Sequence, residues 1–108
     1  MKLITKEIEK KLIKQYEFTL QNPDINTAEI NKPYLKLFGG SSFTWLLSEY
    51  DKANRILFGL CDLGHGGELG YVSLDELEQI KFPPFGLGIE RDRFFEPQHT
   101  LWEYFKKK

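Results

Sequence analysis

The sequence has a single cysteine, Cys61, which excludes an internal disulfide and a cysteine-based zinc site. A lone thiol also suits a reducing compartment. No apolar run approaches the roughly 20 residues that a membrane span needs. The opening stretch, MKLITKEIEKKLIK, has no uninterrupted apolar core and does not read as a secretory signal. The glycine-rich Gly64-His65-Gly66-Gly67 lacks the Gly-Lys-Ser/Thr ending of a phosphate cradle, and it precedes a strand instead of opening a helix. His65 and His99 are too far apart in sequence for a helical metal pair. The expectation is a soluble, cytoplasmic chain with no cofactor, no membrane partner and no catalytic set.

What is present is a large apolar payload on a short chain. Of 108 residues, 41% are hydrophobic and 15% aromatic, enough for a core in one domain spanning 1–108. The net charge of −1 conceals a polarity. Lys2, Lys6, Lys10, Lys11 and Lys14 outnumber Glu7 and Glu9 at the start, and Lys106 to Lys108 close the chain. The body between is strongly acidic. Such asymmetry steers partners when it is not simply a solvated surface.

The spacing of Ile8, Leu12, Ile13 and Tyr16 after the N-cap candidate Thr5 predicts a helix from about Lys6 to Phe18. Lys6, Lys10 and Lys14 fall four apart and form a basic stripe opposite the apolar one. Pro23 disfavours helical geometry at Asn22. Four strand-like runs follow: Tyr34 to Phe38, Phe43 to Tyr50, Arg55 to Asp62 and Glu68 to Val72. In the second, alternation places Phe43, Trp45 and Leu47 on one face, with Thr44, Leu46, Ser48 and Tyr50 on the other. Their close spacing implies antiparallel pairing. Ser73-Leu74-Asp75-Glu76 and Thr100-Leu101-Trp102-Glu103 read as capping boxes of two short helices. The first should turn Leu74, Leu77 and Ile80 inward, and the second Leu101, Trp102 and Phe105. Ile89 and Phe94-Phe95 anchor an extended segment between them. The expected fold class is α+β. It has a mostly antiparallel four- to five-stranded sheet, a helix at each end of the chain and a short helix after the fourth strand.

FGLCDLGHGGELGYVSLDEL (Phe58 to Leu77), GLGIERDRFF (Gly86 to Phe95) and TWLLSE (Thr44 to Glu49) resemble the Domain of Unknown Function 2958 family over roughly residues 34 to 96. The resemblance implies a bacterial or phage origin and genetic company on plasmids, phages and integrative elements. It implies no reaction and no substrate.

Two polar motifs stand out. Asp62-x-x-His65-x-x-Glu68, with Glu90 and Asp92 from the second motif, offers carboxylate and imidazole ligands to a metal if the loop curls around it. The competing reading is a tight turn, with glycines at positive φ and Asp62 accepting from loop amides. In Glu90-Arg91-Asp92, the Arg91 fork suits a carboxylate or phosphate. It could tie the segment to Asp62 or Glu68, or bind a partner. Cys61 could pair with His65 or His99, but an alternating strand buries it as a small hydrophobe. The stripe of Lys6, Lys10 and Lys14 could contact RNA or DNA phosphates.

The reading that combines these features is a non-catalytic accessory protein of a mobile element. It binds a host protein or ribonucleoprotein through Asp62, His65, Glu68, Glu90, Arg91 and Asp92. Its finer form is an inhibitor of a defence nuclease, of anti-CRISPR or antirestriction type. The alternatives are a metal-dependent hydrolase on Asp62, His65 and Glu68, and a nucleic-acid-binding regulator acting through the lysine stripe.

Overall fold

The computed structural model describes residues 3–107, so Lys2 and Lys108 of the basic ends lie outside the described residues. Thr5 caps the first helix by accepting from Ile8 N at 3.1 Å, and α1 runs Lys6–Gln21. It continues one turn past the expected end and stops at Asn22, whose φ of −132° leaves helical space before Pro23. A short 3₁₀ turn, Thr27–Glu29, leads to β1 (Leu35–Gly39), β2 (Phe43–Asp51), β3 (Ile56–Asp62) and β4 (Gly67–Ser73). Next come α2 (Leu74–Gln79), the two-residue β5 (Glu90–Arg91) and α3 (Leu101–Lys106).

The five strands form one sheet in the order β4-β3-β2-β1-β5, antiparallel throughout. The fold class is the expected α+β, and the segment carrying Glu90 and Arg91 supplies the fifth strand. Three consecutive hairpins build β1 to β4, while β5 returns to the far side of β1.

Both faces of the sheet are covered. On one, Leu35, Leu37, Trp45, Leu47, Tyr50 and Leu57 pack with Leu12 of α1, Leu74 and Leu77 of α2, Leu3 and Ile89. On the other, Leu46 and Leu60 pack with Ala28 and Leu101, flanked by Phe58, Leu69, Phe95, Trp102 and Phe105. A six-residue helix is unstable alone. Burial of Leu101, a stabilisation of about 1.5–3 kcal/mol, and the complete Thr100/Glu103 capping box hold α3 in place. At α2, Ser73 accepts from Glu76 N at 3.3 Å, and Leu74 and Leu77 point inward as the spacing predicts.

One strand departs from simple alternation. The β2–β3 register runs Leu47↔Gly59 and then Glu49↔Phe58, so Ser48 is a bulge. An extra residue reverses the phase of everything after it. Tyr50 therefore joins Trp45 and Leu47 on the α1 side, not Leu46 as regular alternation requires, and Glu49 takes the opposite face beside Phe58. Gly59 makes this possible. A Cβ there would overlap the Leu46 carbonyl oxygen and lie 2.7 Å from Leu47 Cα. Only glycine lets the two backbones approach so closely.

A candidate binding cleft

The bulge and the end of β1 create the site together. The last β1–β2 pair is Leu35↔Leu47, so beyond Leu47 strand β2 has no β1 neighbour. α1 and residues 27–33 occupy that side instead. Gln15 of α1 donates through Nε2 to Ser48 O at 2.6 Å and Lys32 O at 3.0 Å, and its Oε1 accepts from Lys32 N at 3.2 Å. One side chain thus satisfies the bulge carbonyl and fastens the incoming loop to the helix. The Ser48 hydroxyl is buried with no hydrogen-bond partner among the described residues.

Glu49 is turned by the bulge into this corner and is only 5% exposed. Its Oε2 accepts from Thr19 Oγ1 at 2.8 Å, Asn31 Nδ2 at 3.2 Å and Thr27 Oγ1 at 3.3 Å. The Thr19 and Thr27 hydroxyls are also 2.8 Å apart, so their two protons are shared among three short contacts, and one hydroxyl can reach Glu49 through the other. All three donors are neutral, and no Lys or Arg forms an ion pair with Glu49 among the described residues. Burial raises its pKa above the ordinary glutamate range, against the lowering effect of the Thr19, Thr27 and Asn31 bonds. A buried carboxylate is normally matched by a cation.

Glu49 also lines two adjoining hollows of about 310 and 200 Å³. Thr19, Phe58 and Tyr71 line both, Tyr16, Leu20 and Asp51 the first, and Ile25 and Asn26 the second. The Phe58 and Tyr71 rings pack 4.9 Å apart, yet Tyr71 remains 75% exposed, and Leu20 and Ile25 are exposed at the rim. Asp51 is held below the usual aspartate range, chiefly by the Asn54 side chain. The Tyr16 hydroxyl is pushed up by desolvation and by neighbouring Asp51. The result is an aromatic-walled cleft with a buried acid on its floor and a second acid at its lip. Its natural guest is a cationic or N–H-bearing group. One larger hollow holds cations that are already engaged, Lys52 with Glu9 at 2.9 Å and Arg55 with Asp75 at 2.6 Å and Glu78 at 2.8 Å, and another is lined by Lys11, Lys32 and Arg93, so both already contain their own cations.

The residues singled out from the sequence lie at the other end of the sheet. Gly67, Asp62, Thr44, Phe38 and Glu90 form one row across it, and Glu68, Cys61, Trp45, Leu37 and Arg91 form the next. Asp62 and Glu90 thus share a face but stand three strand spacings apart, about 14 Å. Arg91 occupies the opposite face, with β1 and β2 between it and Asp62. It does not clasp Asp62 or Glu68; it donates to Leu3 O at 3.4 Å, tying β5 to the N-terminal arm. Asp62 Oδ1 accepts from Gly64 N at 2.9 Å, and Gly64 and Gly66 have φ of 98° and 93°, which is the tight-turn geometry. His65 and Glu68 are exposed. Among the described residues, no three His, Cys, Asp or Glu side chains come together as a metal cluster. Burial, with help from Glu68, pushes the Cys61 thiol up. Asp92 caps its own turn, accepting from Phe94 N at 3.0 Å, and lies 3.7 Å from Lys36 Nζ. Lys6, Lys10 and Lys14 are all exposed along α1.

The family model described as "Protein of unknown function (DUF2958)" matches residues 3–108. The chain belongs to the DUF2958 family. No curated protein and no solved structure matches it. Membership extends well beyond the 34–96 stretch that carried the resemblance, and it takes in the α1 and 3₁₀ residues that hold Glu49. No described helix of this DUF2958 chain is long and apolar enough to cross a membrane. Sequence reasoning passed over Glu49. The signal was Trp45-Leu46-Leu47: three consecutive apolar residues mean that both faces of β2 are covered, so an acid two residues further along the same strand is an interior acid.

Proposed function

We propose that this DUF2958 protein is a non-catalytic, cytoplasmic binding protein. It engages a basic surface segment of a host protein or ribonucleoprotein on behalf of a mobile element. The observation that carries the reading is Glu49: a buried carboxylate on neutral donors, on the floor of an aromatic cleft open to solvent. A partner's Lys or Arg entering the cleft meets the charge that the fold leaves unmatched, and its stem packs on Phe58 and Tyr71. Docking on a nuclease is the finer form of this proposal, because such enzymes present cationic grooves to nucleic acid. The acidic cleft supports a protein segment over RNA as the ligand. The lysine stripe on α1 would serve an RNA contact of the same complex.

The test is affinity capture from bacterial lysate with the wild-type chain beside Glu49→Gln, Asp62→Ala and Arg91→Ala. The expected result is a specific partner held by the wild type and lost with Glu49→Gln. That variant keeps one acceptor oxygen for Thr19, Thr27 and Asn31, and exchanges the charge and the other oxygen for a neutral amide nitrogen. A partner retained in full by Glu49→Gln, or no specific partner, overturns the reading. Loss with Asp62→Ala or Arg91→Ala alone would move the site to the opposite end of the sheet.

A further inference from the structure

β4 is an edge strand of seven residues whose outer side meets no backbone partner among the described residues. Its hydrogen-bond phase follows from one contact. Leu74 N donates to Arg55 O at 2.9 Å, so Arg55 and Leu74 form a bonded pair. Antiparallel pairs alternate, which makes Leu57–Val72, Gly59–Gly70 and Cys61–Glu68 bonded as well. The residues between them, Gly67, Leu69 and Tyr71, turn their N–H and C=O groups outward.

Proteins usually blunt such an edge with lysine, proline, a bulge or a very short strand. The β4 sequence GELGYVS has no lysine and no proline, and its register with β3 is unbroken. Its one charge, Glu68, is exposed. Beside it Gly70 leaves a notch: a Cβ there would meet nothing within 4 Å. Glu68, Gly70 and Val72 share a face, so the notch lies between an acid and an apolar side chain.

From these features we infer that β4 takes up an additional strand: an extended, lysine- or arginine-bearing segment of the partner protein. The inference rests on the reading that the chain binds a protein, and it adds where the partner's backbone lies. Charge decides the occupant. β4 and the turn before it, residues 62–73, carry Asp62 and Glu68 and no lysine or arginine, while Asp75 and Glu78 of α2 are already paired with Arg55. A second copy would bring no cation to this edge, whereas a basic strand is attracted to it. The added strand exchanges backbone bonds with Gly67, Leu69 and Tyr71, seats one bulky side chain in the Gly70 notch, and places a cation beside Glu68.

The test is selection of a random linear peptide library on the full chain, followed by amide hydrogen exchange with a synthetic peptide of the enriched sequence. Enriched peptides should alternate β-formers with Lys or Arg and lack central proline. Their binding should slow exchange at Gly67, Leu69 and Tyr71, while Glu68, Gly70 and Val72, already bonded to β3, change little. Gly67→Pro removes one outward N–H without breaking a β3 bond and lies outside the cleft, and Glu68→Lys reverses the charge. Each should weaken binding by about tenfold. Five results overturn the inference: no enrichment, enrichment of acidic sequences, slowed exchange confined to residues outside β4, peptide binding that Glu49→Gln abolishes while Gly67→Pro and Glu68→Lys retain it, or a wild-type dimer in sedimentation that Gly67→Pro abolishes.

Discussion

One edge of the sheet is fastened and the other is bare. β5 is two residues long, and its segment is tied to β1 and to the N-terminal arm. Asp92 N donates to Lys36 O at 2.9 Å, the Asp92 carboxylate faces Lys36 Nζ, and Lys36 lies over the Phe95 ring at 5.6 Å. Arg91 holds the N-terminal arm alongside. β4 is more than three times as long and has none of these devices. Edge protection depends on local detail, not on a strand's place in the topology: both strands are outermost, and only one is defended. In the same molecule the undefended edge adjoins the cleft that holds Glu49, and the defended edge does not.

The comparison can be broken most severely at Gly59. Gly59→Ala drives a methyl group into the Leu46 carbonyl and should destabilise the fold by about 3 kcal/mol. Denaturant titration measures the loss. Hydrogen exchange should show β3 and β4 opening before the β1–β5 pair. Equal opening of both edges would mean that the sheet unfolds as one unit.

A smaller effect is expected at the fastened edge. Asp92→Ala deletes the turn bond to Phe94 N and the partly exposed pair with Lys36, at a cost of about 1 kcal/mol. Exchange at Glu90 and Arg91 should accelerate while β4 is unaffected. If β5 keeps its protection, the backbone bond to Lys36 O suffices to hold it.

The smallest change sharpens the contrast from the side of the cleft. Glu49→Gln keeps the acceptor but removes a buried charge, and should raise stability at neutral pH by about 0.5–1 kcal/mol. The sign follows from linkage. The folded-state pKa of Glu49 lies above its unfolded value, so the folded protein holds the proton more tightly. Its contribution is fully present below the unfolded carboxyl pKa and is lost as pH rises through the folded value. Thermal melts across that window should show the wild type falling relative to Glu49→Gln. Parallel curves would mean that Glu49 is ionised at no cost.

Local signals were legible because their causes are local. Thr5, Ser73 and Thr100 cap helices through bonds three residues away, and the apolar spacing of Leu74 and Leu77 is visible without a neighbour. The strands were placed to within a residue for the same reason. The bulge was not legible, since Ser48 becomes an extra residue only against the register of β3. The acceptor site of Glu49 draws donors from positions 19, 27 and 31, and no motif links them in the chain. The Arg91 contact with Leu3 spans nearly the whole sequence. The Asp62 loop carried the densest motif, and its glycines are accounted for by turn geometry, so local density was a poor guide to where the cleft would form.

The Ser48 bulge has a further consequence for how this chain tolerates change. The orientation of Glu49 is set by counting, not by chemistry: one residue more than the partner strand provides. Almost any small side chain at position 48 preserves that count, and even deleting the position leaves Leu47 and Glu49 consecutive against Gly59 and Phe58, on the faces they already occupy. A residue added to β3 opposite Ser48 does the reverse: it pairs Ser48, restores plain alternation, turns Tyr50 away from α1 and drives the acid into the leucine layer beneath it. Drift by substitution can therefore erode the cleft only gradually, while a single in-frame codon gained in the neighbouring strand would invert it in one step.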